Sequence, residues 1–118
     1  MSLETTNALR ILEGTNLSSV EFVQDYVQLR FDGPCLTAIT RPRVHVADHS
    51  FDWGMAEYRN ALCERIGKVV ERTSITEKVE LTINFEDDSS LSLSLRPEDY
   101  RAAEAAIFTY PPHKTYVW

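Results

Sequence analysis

The sequence predicts an α+β fold, with two or three helices packed on one side of about six to eight short antiparallel strands. Three observations support this prediction. A chain of 118 residues is long enough for one domain, 1–118, that buries a core. Several stretches alternate apolar and polar residues, which is typical of half-buried strands. Two apolar stretches at helical spacing each end at a glycine, Gly14 and Gly67.

The first predicted element is a short helix over residues 3–13, with Ala8, Ile11 and Leu12 on one face. Strands are predicted after it at residues 19–23, 26–31, 35–40 and 44–46. Pro42 lies between the last two of these strands. Because proline has no backbone N–H to donate, the sequence predicts a sheet edge or a bulge at this point.

The strongest predicted helix covers residues 52–66, where Met55, Tyr58, Leu62 and Ile66 recur at helical spacing. A meander of three strands is predicted after it at residues 69–75, 79–85 and 91–95. The last of these strands alternates leucine with serine, which indicates one buried and one solvated face.

A third helix is predicted to begin at Pro97, because proline suits the first helical position and two acidic residues follow it. Alanines at positions 102–106 favour its continuation. The remaining segment, 108–118, is rich in aromatic residues. We expect it to close the core, with a role as an interface as the alternative.

The two halves of the sequence show the same order of signals. An Asn-Ala-Leu triplet opens a helical stretch at Asn7 and again at Asn60, and alternating strands with an acidic turn follow each. This order favours an internal duplication of a helix followed by a β-meander. The corresponding pseudo-repeats are residues 7–47 and 60–95.

Composition excludes some partners and suggests a compartment. The formal net charge is −6, from 12 basic and 18 acidic residues. Binding to nucleic acid or to an anionic membrane normally needs a basic stripe, so we expect neither as a partner. No stretch approaches the ~20 apolar residues of a membrane span, and no signal peptide is evident. Cys35 and Cys63 lie in no metal-binding spacing. We therefore predict small buried thiols in a cytoplasmic protein, with a disulfide as the less favoured alternative.

The candidate metal ligands are His45, Asp48, His49 and Asp52, whose spacing would align them on one face of a helix. The residues on both sides of His45 are valines, however, and this pattern indicates a strand that would turn His45 away from the others. The sequence therefore predicts no metal and no cofactor, and leaves these four residues as weak candidates.

No motif identifies a reaction. A nucleophile and base could be drawn from Cys35, Cys63, His45, His49 and His113, but no recognised signature surrounds them. The acidic clusters at 86–88 and 98–99 are explained by a hairpin turn and a helix start. With four glycines in the chain, no glycine-rich phosphate loop can be built.

The leading functional hypothesis is a non-enzymatic protein-binding module, of inhibitor or immunity type, or a homo-oligomer such as a homodimer. Its negative charge would steer it toward a basic partner, and we expect contacts through a strand edge or the aromatic tail. The alternative is a small enzyme, or a small-molecule or metal-binding protein, that uses residues 45–52. Catalytic residues are unknown in either case.

Overall fold

The computed structural model describes residues 7–110 and 114–118. Within these residues the chain forms ten strands: β1 (Leu17–Val23), β2 (Tyr26–Phe31), β3 (Cys35–Ala38), β4 (Arg43–Val46), β5 (His49–Phe51), β6 (Val70–Thr76), β7 (Glu80–Phe85), β8 (Ser90–Ser94), β9 (Ala106–Tyr110) and β10 (Lys114–Val117). The helical segments of the same residues are the α-helix α1 (Tyr58–Cys63) and two short 3₁₀ turns, Ala8–Leu12 and Pro97–Asp99. The strands form a first sheet, β1-β2-β3-β9-β10, and a second sheet, β5-β4-β8-β7-β6, and both are antiparallel throughout.

The fold is therefore mostly β, and the predicted α+β fold with two or three helices is wrong. The strongest predicted helix, over 52–66, is reduced to α1. Gly54 has a positive φ of 95°, which helical geometry does not allow, so the helix begins only after this turn. Of the expected apolar stripe, Met55 and Ile66 are 46% and 43% exposed, whereas Tyr58 and Leu62 are buried.

The first and third predicted helices are 3₁₀ turns in the described residues. The third ends at Tyr100, whose backbone is extended, with φ −69° and ψ 136°. Ala105 and Ala106 are fully buried, and Ala106 starts β9. Pairing of β9 with β3, and the burial of these small side chains, override the helical preference of alanine.

The alternating patterns predicted the strands well. β2 and β7 coincide closely with their predicted ranges, and Leu29, Leu81 and Ile83 point into the core with no exposed surface. The prediction of an edge at Pro42 is wrong, because β4 is paired with β5 on one side and β8 on the other. Pro42 precedes the first residue of β4, so no ladder bond is lost.

The core lies between the two sheets. Buried side chains from both belong to one cluster, and the largest of these with less than 2% exposure include Phe31 and Phe108 from the first sheet and Phe85 from the second. Trp118 is also part of the cluster and is 7% exposed. The prediction that the C-terminal aromatic segment closes the core is confirmed for this residue.

Each sheet combines a three-stranded meander from one half of the chain with a hairpin from the other half. The halves meet where β1 and β6 begin. The N–H of Gly14 donates to the carbonyl of Val70 at 2.8 Å, and the N–H of Gly67 donates to the carbonyl of Leu17 at 2.7 Å. An isolated antiparallel bridge joins residues 16 and 69 between these bonds. An origin by duplication, with pseudo-repeats 7–47 and 60–95, stays a prediction.

Candidate protein-interaction site

The predicted metal ligands lie in and around the β4–β5 hairpin without sharing a site. His45 is on the outer face of the second sheet, where Nδ1 is 3.0 Å from the hydroxyl of Ser50 and Nε2 is 3.3 Å from that of Ser92. The ring of His49 instead lies beside Phe51, with ring centroids 6.4 Å apart.

Asp52 accepts a hydrogen bond from Nε of Arg43 at 2.5 Å, and Asp48 is exposed at the hairpin turn. Within residues 7–110 and 114–118, no group of three or more His, Cys, Asp or Glu side chains is arranged to hold a metal ion. The helical spacing that suggested a metal site is not realised, because residues 43–51 are a hairpin whose alternate side chains face opposite ways.

The two thiols differ from each other. Both are free in the structure. Cys35 is half-buried in β3, and burial raises the pKa of its thiol against a lowering contribution from Arg30. Cys63 is exposed at the end of α1, so the prediction of a buried thiol is wrong there. His113, the third histidine considered as a base, lies outside the described residues.

Asp87, in the acidic cluster between β7 and β8, has a structural role. Its carboxylate accepts bonds from the hydroxyl of Ser89 at 2.5 Å and from the N–H of Ser89 at 3.1 Å. Arg65 and Lys68 lie 3.4 Å and 3.6 Å away. Desolvation raises the pKa of Asp87, but these hydrogen bonds and charges outweigh it and the net pKa is lowered. The carboxylate therefore closes the hairpin turn in its charged form.

A cluster of aromatic and cationic side chains lies beside the β5–α1 loop. We name it the Trp53 surface, and it consists of Phe22, Arg41, Trp53, Met55 and Arg59. Trp53 and Met55 are 42% and 46% exposed, and here the exposed apolar side chains lie next to arginines. A cavity of about 310 Å³ opens between Trp53 and Arg59.

The loop that carries Trp53 is held by consecutive turns. The N–H of Met55 donates to the carbonyl of Asp52 at 3.1 Å, and the N–H of Tyr58 donates to the carbonyl of Met55 at 3.1 Å. Gly54 supplies the positive φ between them. The chain therefore turns sharply after β5 and presents Trp53 at the surface.

Two arginines pack on the aromatic rings. The guanidinium carbon of Arg41 is 3.8 Å from the centroid of the Trp53 ring, and Arg41 Nη2 donates to the carbonyl of Gln24 at 3.1 Å. The guanidinium carbon of Arg59 is 5.2 Å from the Trp53 ring and 5.8 Å from the ring of Phe22. These distances allow cation–π attraction, which is strongest with tryptophan.

Tyr58 supports the indole from the helix. The two rings meet edge to face, with centroids 5.7 Å apart and an interplanar angle of 78°. The Tyr58 hydroxyl donates to the carbonyl of Pro42 at 2.5 Å. Burial raises the pKa of this phenol well above its ordinary value, so the hydroxyl stays protonated and remains a donor. Trp53 is thus fixed on two sides while much of its surface stays open.

The Trp53 surface has a local excess of positive charge. Within the described residues, Arg41, Arg59 and a third arginine, Arg101, make no ion pair with a carboxylate. Desolvation lowers the pKa of Arg41 and the nearby charge of Arg101 lowers it further, against smaller raising contributions from Tyr58 and Asp25. This excess stands against the overall charge of −6.

The sequence pattern does not predict this site, because it places Trp53 inside a helix and Arg41 at a sheet edge. The available signal was a tryptophan next to a glycine directly after a polar stretch, which is typical of a presented loop residue. Because Trp118 is buried, it is not available for the interface expected in the aromatic tail. The other strand-edge expectation is unaffected, since β10 lies at the edge of the first sheet.

No family model, curated protein or solved structure shows a significant match to this chain. In the part of the chain that the structure describes, none of the helices has the length and apolar character needed to cross a bilayer. Function must therefore be argued from the geometry of the Trp53 surface and its surroundings.

Proposed function

We propose that this chain is a non-enzymatic protein-binding module and that the Trp53 surface is its binding surface. The observation that carries the proposal is an indole fixed by neighbouring rings and guanidinium groups, yet 42% exposed. Tryptophan, tyrosine and arginine are the residues most enriched among those that dominate binding energy at interfaces, and methionine is also enriched there.

The geometry favours tight contact at low entropic cost. A tryptophan side chain buries up to ~250 Å², so the exposed part of Trp53 offers roughly 100 Å² and about 2.5 kcal/mol if fully covered. Tyr58 and Arg41 already restrict the indole to one orientation. A partner therefore has little further side-chain freedom to remove on binding.

We infer that the partner segment is acidic and carries an apolar side chain. Arg41, Arg59 and Arg101 have no carboxylate partner in the described residues, so a partner carboxylate would satisfy them. The net charge of −6 by itself favours the basic partner expected from the sequence. At physiological salt, however, charges are screened beyond ~8 Å, so the local arginines dominate at contact distance.

A peptide titration tests this proposal. The probes are a peptide of alternating glutamate and leucine, a peptide of equal length with lysine in place of glutamate, and a single-stranded oligonucleotide. We expect only the acidic peptide to bind saturably in isothermal titration calorimetry, with the affinity falling about tenfold or more for Trp53→Ala and for Arg59→Ala. Equal or tighter binding of the lysine peptide or the oligonucleotide would overturn the proposal.

Two matched variants control for general effects. Ile66→Ala removes an apolar side chain of similar exposure, 43%, that lies outside the Trp53 surface. Arg72→Ala removes an exposed arginine from β6. Both should bind the acidic peptide as the unaltered chain does. If the chain itself is a dimer by sedimentation and Trp53→Ala makes it monomeric, the partner is a second copy and not an acidic segment.

The cytoplasmic location is part of the same proposal. It is supported by the free, exposed thiol of Cys63 and the free thiol of Cys35, since such thiols persist in a reducing compartment. The alternative function, an enzyme or metal site in residues 45–52, has no comparable support, because His45 and His49 have separate surroundings.

A further inference from the structure

We propose that the groove between the β4–β5 hairpin and α1 is a binding site for a small organic amine with an apolar body. We name this groove the hairpin–helix pocket. Its apolar walls are Val46 and Phe51 from the hairpin and Ala61 from the helix. Its polar lining consists of Glu57, Glu64, Arg65, His49 and Asn60. Its volume is about 380 Å³, which lies within the range typical of small-molecule sites.

The small size of Ala61 creates the space. Ala61 is 6% exposed and faces the hairpin from α1, where a larger side chain would fill the groove. Val46 and Phe51 are only partly buried, so apolar surface remains available on the opposite wall. A ligand with an aromatic or branched apolar body would cover this surface and gain free energy from its removal from water.

The charges of the pocket select the head group of the ligand. Glu57 and Glu64 are two helical turns apart and line the same side of the helix. Both are exposed, and neither carboxylate makes an ion pair or a hydrogen bond within the described residues. An ammonium group would therefore find one uncommitted carboxylate at either end of α1, with Glu57 at the N-cap and Glu64 at the C-cap.

The arginine that lines the pocket does not form an ion pair with either glutamate. Arg65 also lines the pocket, but it is 4% exposed and two of its nitrogens already donate to other groups. Its Nε donates to the carbonyl of Ala61 at 3.2 Å and its Nη1 to the carboxylate of Asp87 at 3.4 Å. The arginine is thus anchored toward the β7–β8 turn and leaves the two glutamates facing the groove.

The hairpin–helix pocket is distinct from the Trp53 surface. Arg59, which packs on Trp53, lies roughly opposite Glu57, Ala61 and Glu64 around α1 by helical spacing. The two sites also have opposite local charge. The proposal therefore stands or falls independently of the proposed protein-binding function.

An NMR titration with three matched probes tests the proposal. The probes are 2-phenylethylamine, 2-phenylethanol and phenylacetate, which share an aromatic body and differ in charge. We expect the amine to give saturable shifts at the amides of Val46, Phe51 and Ala61, with a Kd about two- to fivefold lower than that of the alcohol. Phenylacetate should bind more weakly than either. Shifts elsewhere, equal binding of amine and alcohol, or no saturable binding would overturn the proposal.

Charge variants identify the residues responsible. Glu57→Gln with Glu64→Gln should raise the Kd of the amine about two- to fivefold and leave that of the alcohol unchanged. Glu71→Gln with Glu98→Gln makes the same change in net charge at exposed positions elsewhere and should alter neither. An amine affinity unchanged by the first pair, or abolished by Trp53→Ala, would contradict the assignment to this pocket.

Discussion

Trp53 follows the β4–β5 hairpin much as Trp118 follows the β9–β10 hairpin. In the first hairpin Val44 pairs with Phe51, and in the second Phe108 pairs with Tyr116, and each tryptophan comes two residues after that pair. The outcomes differ, since Trp53 is 42% exposed and Trp118 is 7% exposed.

The backbone explains the difference. The N–H of Trp118 donates to the carbonyl of Ala106 at 2.9 Å, which continues the β9–β10 ladder and carries the indole into the core. By the same register the equivalent carbonyl in the other hairpin is that of Pro42, and it accepts the hydroxyl of Tyr58 instead. In this chain, therefore, the tryptophan whose own backbone keeps pairing is buried, and the one whose pairing position is taken by Tyr58 is exposed.

The largest effect expected from this comparison is in the two alanine substitutions. Trp118→Ala should lower the free energy of unfolding by about 3–5 kcal/mol, because it opens a cavity in the core. Trp53→Ala should lower it by less than about 1 kcal/mol, because its indole lies largely at the surface. Urea unfolding followed by circular dichroism measures both. Equal losses would show that the exposed indole is a structural element.

A smaller effect is expected from Tyr58→Phe. The variant leaves the carbonyl of Pro42 without its donor, which should cost about 1–3 kcal/mol in the free energy of unfolding. The anisotropy of tryptophan fluorescence should stay unchanged, because phenylalanine keeps the ring that meets Trp53 edge to face. Tyr100→Phe, at a partly buried tyrosine, is the control. A fall in anisotropy would mean that the hydroxyl bond to Pro42, and not only the ring, fixes the indole.

The smallest effect concerns the acidic turns of the two halves. The pKa of Asp87 is lowered in the folded state, so its contribution to stability is present above its unfolded pKa of about 4 and is lost as the pH falls through the lower folded value. Asp87→Asn should therefore reduce stability at neutral pH and flatten its decline in acid. Asp32→Asn, in the corresponding turn of the first half, is the control. Urea midpoints measured between pH 7 and pH 2 test this, and parallel acid declines for both variants would contradict it.

The strands could be predicted because alternation is a local property. The pattern of Leu81, Ile83 and Phe85 against polar neighbours needs only the two-residue period of a strand and one buried face. Helices are predicted too often, because the alanine-rich stretch 102–106 favours a helix by composition, whereas residues 101–103 and 105 form bends and Ala106 begins β9. Only the pairing of β9 with β3, distant in sequence, decides between the two.

The candidate site could not be predicted for the same reason. Arg41, Trp53 and Arg59 are separated in sequence, and only the turn at Gly54 and the start of α1 bring them together. Burial of Trp118 likewise depends on its backbone bonds to Ala105 and Ala106. Composition gives the net negative charge of the chain. It cannot show that the Trp53 surface is positive, because this depends on which arginines lack a carboxylate partner in the folded structure.

The exchange of hairpins between the two sheets has a consequence for how the molecule comes apart. β9 and β10 complete a sheet begun near the N-terminus, and β4 and β5 complete one that ends near position 94. If either hairpin detaches, the meander of the opposite half loses the strand paired with its edge. A fragment carrying one half would hold three paired strands and an orphaned ribbon, with open edges that a complementary fragment could fill. Both halves must therefore be folded for either sheet to be complete, and unfolding of one half exposes an unpaired, aggregation-prone strand edge in the other.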